Sequence, residues 1–280
     1  MNKITKDSFC HSFSFVLTVG SIAAILGLSM KEIVPLENCN EPLAYIIRFS
    51  ILFVVFFLIG IGIRMALRRK TQKGYSLIIG GNYVFIKRAD IFQEDAWRVI
   101  PVDTRFQTKV DDIVISKNSL HGQLVLQHGN ADDINQTVMQ EAERLGVEQQ
   151  NGSYSFELGT AIPYYAKDGD YIMVALTELN SENKAQTNIR QYENTLIRIW
   201  EGIDRIYAKK PVALPVLGSG ITRFVDDPLD TEETLMCMLR MLKRSKVHLK
   251  TNITILLHSE EDEKVLLSLY ERQNQLKDLR

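Results

Sequence analysis

Apolar residues crowd the first quarter of the chain and then change rhythm. Residues 13–30 run without a charged side chain, with Lys3 and Lys6 before them and Lys31 after. Residues 43–67 form a second run, rich in Ile, Phe, Leu and Val and interrupted by Arg48 and Arg64. At ~1.5 Å of rise per residue, a helix of either length approaches the ~30 Å core of a bilayer. The pattern predicts a two-helix transmembrane hairpin. Arg48 and Arg64 lie near the ends of the second run, from which long side chains snorkel to the interface. The competing readings are a cleaved signal peptide for the first run and a buried core helix for the second. The first run is long for a signal peptide, and no small-residue cleavage site follows it. The second is apolar on every face rather than on one stripe.

Flanking charge gives the orientation. Arg64, Arg68, Arg69, Lys70 and Lys73 follow the second run, whereas the loop between the runs carries Lys31 against Glu32, Glu37 and Glu41. Positive-inside bias places both termini in the cytoplasm and the short loop outside, as in a multi-pass membrane protein. The expected division is a hairpin with its basic flank over 1–73 and a second domain over 74–280.

From about Tyr75 the pattern becomes short apolar runs alternating with amphipathic segments. Strands are expected at 76–79, 83–87, 99–102, 123–126, 171–176, 212–217 and 253–258. Several are continuous apolar runs, as in strands buried on both faces. A helix is expected over 132–145, with Ile134, Val138, Ala142 and Leu145 on one face and Gly146 as its stop. A second is expected over 185–207, with Ile189, Tyr192, Leu196, Ile199, Ile203 and Ile206 in step. Asp230-x-x-Glu233 and Ser259-x-x-Asp262 read as capping boxes of two more. Strands alternating with helices imply a three-layer α/β/α domain.

Net charge of -1 argues against a nucleic-acid partner. The three cysteines are too scattered for a disulfide framework or zinc site, and the histidines make no metal-binding spacing. No metal and no cofactor are expected.

Three loops carry candidate chemistry. Gly218-Ser219-Gly220 follows an apolar strand, where glycines turn the backbone sharply and aim N–H groups at one spot, as suits a phosphate. A tight turn without a ligand has the same composition, and neither a P-loop nor a dinucleotide fingerprint is present. Residues 118–123 form a second small-residue loop, carrying Ser119, Leu120, His121 and Gly122. Here His121 reads either as a base for Ser119 or as a loop histidine satisfied by local hydrogen bonds. Asp90 and Ile91 follow the 83–87 strand, where the carboxylate either accepts from an exocyclic amine or makes an Asx turn.

Taken in order, Ala89-Asp90-Ile91-Phe92 and Leu217-Gly218-Ser219-Gly220-Ile221-Thr222 resemble the adenine-reading and phosphate loops of macro domains. More narrowly, the runs 100–106, Val110-Asp111-Asp112, 115–122 and Leu158-Gly159-Thr160 are similar to the divergent macro domain of Thoeris ThsA effectors. The likeness covers roughly 77–260, and the two-helix anchor is similar to that of the membrane-bound subtype. It implies a macro-like α/β/α domain with a mixed sheet. In it, Asp90 reads adenine, Gly218 to Thr222 hold a diphosphate, and Ser119 to Gly122 line the ribose side. Ile91, Asp103, Phe106, Thr160 and Leu217 enter the expected site as members of these motifs, with Arg223 adding contact to a phosphate. It further implies an antiphage effector that binds an ADP-ribose-derived signal made by a TIR-domain partner, a histidine–ADP-ribose conjugate being the expected form. The effector would oligomerise and damage the lipid bilayer. Asp103 stands where many macro domains place an Asn used in hydrolysis, so binding without turnover is expected and no catalytic residue is named. The alternative is a membrane-tethered ADP-ribosyl hydrolase.

Overall fold

The computed structural model describes residues 40–72, 74–149, 152–179, 185–220, 223–224, 228–258 and 262–271. The chain divides into two compact units between Gln72 and Lys73. The described part of the first unit is one helix, α1 (Glu41–Gln72), longer than the expected run at 43–67. The expected helix at 13–30 lies outside the described residues. Among the described residues no stretch of helix is both long and apolar enough to cross a membrane, so the transmembrane hairpin is not supported at this level. Apolar side chains nevertheless point outward along α1: Leu43, Ile46, Ile51, Val54, Val55, Leu58, Ile59 and Met65 are all exposed. Arg48, expected to snorkel, is buried instead.

The second unit is built on a mixed sheet that has nine strands among the described residues. They are β1 (Tyr75–Ile79), β2 (Asn82–Arg88), β3 (Trp97–Asp103), β4 (Ala161–Ala166), β5 (Gly169–Leu179), β6 (Ala185–Thr187), β7 (Val212–Pro215), β8 (Arg223–Phe224) and β9 (Asn252–Leu257). Their order is β1-β2-β9-β7-β3-β5-β6-β8, with β4 also paired to β5. Five central strands, β2-β9-β7-β3-β5, are mutually parallel. Of these, β3, β5 and β7 are buried on both faces along most of their length and read as the continuous apolar runs seen in the sequence, whereas β2 alternates buried and exposed positions.

Helices cover both faces. One core cluster joins Ile91, Phe92, Ile100 and Val102 to Ile134, Val138 and Ala142 of α3 (Ala131–Leu145). The other joins Val99, Ile172 and Val174 to α4 (Ile189–Ile206), α5 (Thr231–Ser245) and α6 (Asp262–Glu271). The expected three-layer α/β/α arrangement is therefore present. Asn130 caps α3 through bonds from the Asp132 and Asp133 N–H groups. Gly146 ends α3 at φ 68, a left-handed conformation that glycine adopts without a Cβ clash. Asp230 and Glu233 form the capping box read in the sequence, while residues 259–261 of the other expected box lie outside the described residues.

Three readings change. Residues 123–126 are helical: α2 (Leu120–Gln123) runs into a π-type turn over Leu124–His128. Gln123 followed by three apolar residues carries no period of its own, and here the Ser119 cap starts a helical turn. The helix expected from 185 begins at Ile189, because Asn188 accepts the Gln191 N–H at 2.8 Å and caps it there. The preceding Ala185–Thr187 pairs as β6 with β5 and β8. Strand β4 was not expected; its Pro163 speaks against a central strand, and β4 pairs only with β5.

Candidate ligand-binding site

The five parallel strands end on one side of the sheet, and the segments leaving them enclose a cleft of about 570 Å³. Its wall takes Ala89, Asp90 and Ile91 after β2, Val102 and Asp103 at the end of β3, Leu176, Thr177 and Leu179 of β5, Pro215 to Gly220 after β7 except Leu217, and Leu256 to His258 after β9. The carboxyl edge of an open α/β sheet is where such domains take ligands, and the volume suits a small molecule.

Asp90 caps a single 3-10 turn, Ile91–Gln93, by accepting the Phe92 N–H at 3.1 Å. This is the Asx geometry. It leaves the second carboxylate oxygen without another hydrogen bond among the described residues. The turn is pinned because Ile91 and Phe92 are buried in the core.

Ser119 caps α2: its Oγ accepts the Gly122 N–H at 3.0 Å and donates to the Ser116 carbonyl at 2.7 Å. The hydroxyl is thus used in both directions without His121. Burial depresses the His121 pKa to about 4, against a weaker opposing contact with the Gln107 backbone, so the ring is neutral at neutral pH. Gly122 does not line the cleft. A Cβ there would sit 2.2 Å from the Ser116 carbonyl oxygen, so its role is to let α2 lie against the preceding loop. The Asp111-Asp112 pair shapes that loop. Asp111 accepts the Ile113 and Val114 N–H groups at 3.0 and 2.8 Å, and Asp112 accepts that of Lys117 at 2.9 Å. These bonds present Val114, Ile115, Ser116 and Asn118 to the cleft.

On the opposite wall, Gly218 has φ 91, and a Cβ there would meet the Tyr192 ring at 3.2 Å. The Tyr192 hydroxyl donates to the Leu217 carbonyl, and the Leu217 N–H donates to Met238 Sδ at 3.2 Å. Leu217 is therefore buried beneath the loop rather than in the cleft. Ser219 donates to the Val216 carbonyl at 2.9 Å, and Gly220 is open. Thr231, first residue of α5, completes this side.

Of the expected residues, Asp90, Ile91, Asp103, Ser119, Leu120, His121, Gly218, Ser219 and Gly220 come together in the cleft. Phe106 is buried against Phe156. Thr160 donates to the Glu157 carbonyl at 2.7 Å and lies outside the cleft. Ile221 and Thr222 lie outside the described residues, and of Arg223 only the β8 backbone is described. Asp103 is buried, and desolvation raises its pKa against the lowering effect of the Arg105 N–H, which it accepts at 2.7 Å. Thr177, Thr231, Asn118 and His258 line the cleft without having been expected. The signal available for Thr177 and His258 was their position at the carboxyl ends of parallel strands. Among the described residues no group of His, Cys, Asp or Glu is placed to hold a metal.

Parallel central strands whose carboxyl edge carries a capped aspartate turn facing a glycine turn define an open α/β domain with a candidate small-molecule cleft. The family described as "Thoeris protein ThsA, Macro domain" matches residues 84–258. Thoeris protein ThsA of Bacillus amyloliquefaciens (strain Y2) is 30% identical over 227 residues, covering 76% of this chain and 76% of that protein. The chain belongs to the Thoeris ThsA family and carries its macro domain. Among solved structures, a glycine-to-valine variant of the Oceanobacillus iheyensis macrodomain with ADPR matches at TM-score 0.50 and 14% identity, over 72% of this chain and 99% of that one. The same macrodomain with ADP matches at TM-score 0.49 and 13% identity, over 72% and 97%. At such identity the first likeness speaks to the fold alone.

Proposed function

We propose that this chain is an antiphage effector whose macro domain binds an ADP-ribose-derived signal and carries out no turnover. The observation that supports this most is the convergence of the Asp90 turn, the Ser119–His121 segment and the Gly218–Gly220 turn on one cleft. In this reading the free oxygen of Asp90 accepts from the adenine amine and the glycine turn holds the diphosphate through backbone N–H groups. The ribose lies against the Ser119 segment. Membership of the ThsA family supports the defence role.

The finer parts of the proposal concern the membrane and the partners. Residues 13–30 and 43–67 anchor the chain in a bacterial inner membrane as a hairpin with both termini cytoplasmic. A TIR-domain protein supplies the signal as a histidine–ADP-ribose conjugate. Binding favours a homo-oligomer that injures the bilayer, which requires the oligomer to bind the signal more tightly than the resting form does. The absence of a one-sided apolar stripe on α1 and its outward apolar side chains support the anchor.

The test is calorimetric titration of the full-length chain in detergent with ADP-ribose and with the histidine conjugate, followed by dye leakage from vesicles carrying the protein. Tighter binding of the conjugate, unchanged ligand on recovery and signal-dependent leakage are expected. Release of free ADP-ribose from a modified protein would instead make the chain a hydrolase, and no binding of either ligand would remove the reading.

A further inference from the structure

Two walls of the cleft, the Asp90 turn and the Ser119–Gln123 segment, are joined by no direct hydrogen bond among the described residues. Both lead away from the cleft lining to one contact near the amino ends of β3 and β5. The turn continues into Phe92, and the segment continues through the π-type turn to His128, its last residue. Their rings stack with centroids 4.0 Å apart and planes 4° from parallel. His128 Nδ1 lies 2.7 Å from Asp168 Oδ2. That same oxygen accepts from Arg98 Nη1 at 3.1 Å and from the Tyr171 hydroxyl at 2.9 Å. Arg98 in turn donates through Nε to the Glu94 carbonyl at 3.0 Å, which fastens the end of the Asp90 turn. Glycine at 169 leaves the guanidinium its space, since a Cβ there would meet it at 3.2 Å.

We propose that Phe92, Arg98, Asp168 and His128 form a clasp that sets the separation of the two cleft walls, with His128 as its positioning residue. The Arg98–Asp168–Tyr171 group is anchored on the sheet, because Arg98 belongs to β3 and Tyr171 to β5. His128 is the arm that brings the second wall to this anchor, and the Phe92 stack is where the walls meet. When His128 is replaced, the buried guanidinium keeps Asp168 and the Glu94 carbonyl as partners.

The consequence for binding rests on the ADP-ribose reading above, whereas the clasp itself does not. The full-length chain in detergent, as His128→Ala and as His128→Phe, is compared with wild type by amide hydrogen exchange and by ADP-ribose titration. His128→Ala loses stack and anchor together. Faster exchange confined to residues 90–94 and 119–128 is expected, with ADP-ribose affinity falling about three- to tenfold, the range for one aromatic pair. His128→Phe keeps a ring on Phe92 but not the Asp168 contact, and should recover part of both. Exchange that is unchanged in the alanine variant, or raised uniformly over the domain, would overturn the clasp. If wild type binds no ADP-ribose, the functional reading fails and the exchange pattern alone decides the clasp.

Discussion

His121 shows how one side chain makes stability depend on acid. Its folded pKa of about 4 lies below the ordinary 6.5, so protonation favours the unfolded chain. The stabilisation is complete above pH 6.5 and is lost as pH falls toward 4. Between pH 7 and 4.5, urea unfolding should show wild type losing roughly 2 kcal/mol more stability than His121→Gln. Asp103 has the opposite sign. Its pKa is raised by burial, so its ionised form burdens the fold above the ordinary value of 3.8. Asp103→Asn, which still accepts the Arg105 N–H, should raise the melting temperature at pH 7 and give no gain below pH 3.8. The sequence left His121 open between a base and a locally satisfied ring. The Ser119 bonds to Ser116 and Gly122 engage its hydroxyl without the ring, which two residues of spacing could not show.

At the scale of elements, the Asp111–Gly122 loop and α2 fold as one piece, with Gly122 at the contact. Gly122→Ala forces a Cβ to within 2.2 Å of the Ser116 carbonyl oxygen. A loss of about 1–3 kcal/mol is expected, read as a lower melting temperature with weaker ADP-ribose binding. Long or capped elements were legible in the sequence. Helix α3 announces itself by its apolar period and Gly146, and α5 by its Asp230–Glu233 box. The buried parallel strands stand out as β-branched runs. Short elements were not, since 123–126 is set by a cap four residues upstream of α2's end and β6 by pairing with β5 and β8. The pairing of β6 is not visible in a window of local sequence.

Across the molecule, the described residues lining the cleft all fall between Ala89 and His258, within the unit that begins at Lys73. A fragment starting at residue 73 should therefore bind ADP-ribose with the affinity of the full chain, within about twofold by the same titration. A larger loss would mean that the first unit contributes to binding. The site was legible in its loops and not in its floor. Asp90 and the glycine turn carry local signatures, whereas Thr177 and His258 become neighbours only once strands far apart in sequence are laid side by side.

Strand β9 lies between β2 and β7, pairing Val84 with Ile253 and Leu214 with Ile255, although it follows both in the chain. During synthesis, the central gap in the sheet stays open until residues 252–257 have left the ribosome, because long-range parallel pairing waits for its last partner. A prematurely terminated product lacks that strand and the Leu256–His258 wall together. It therefore has no finished cleft, which ties formation of the candidate site to synthesis of the last strand.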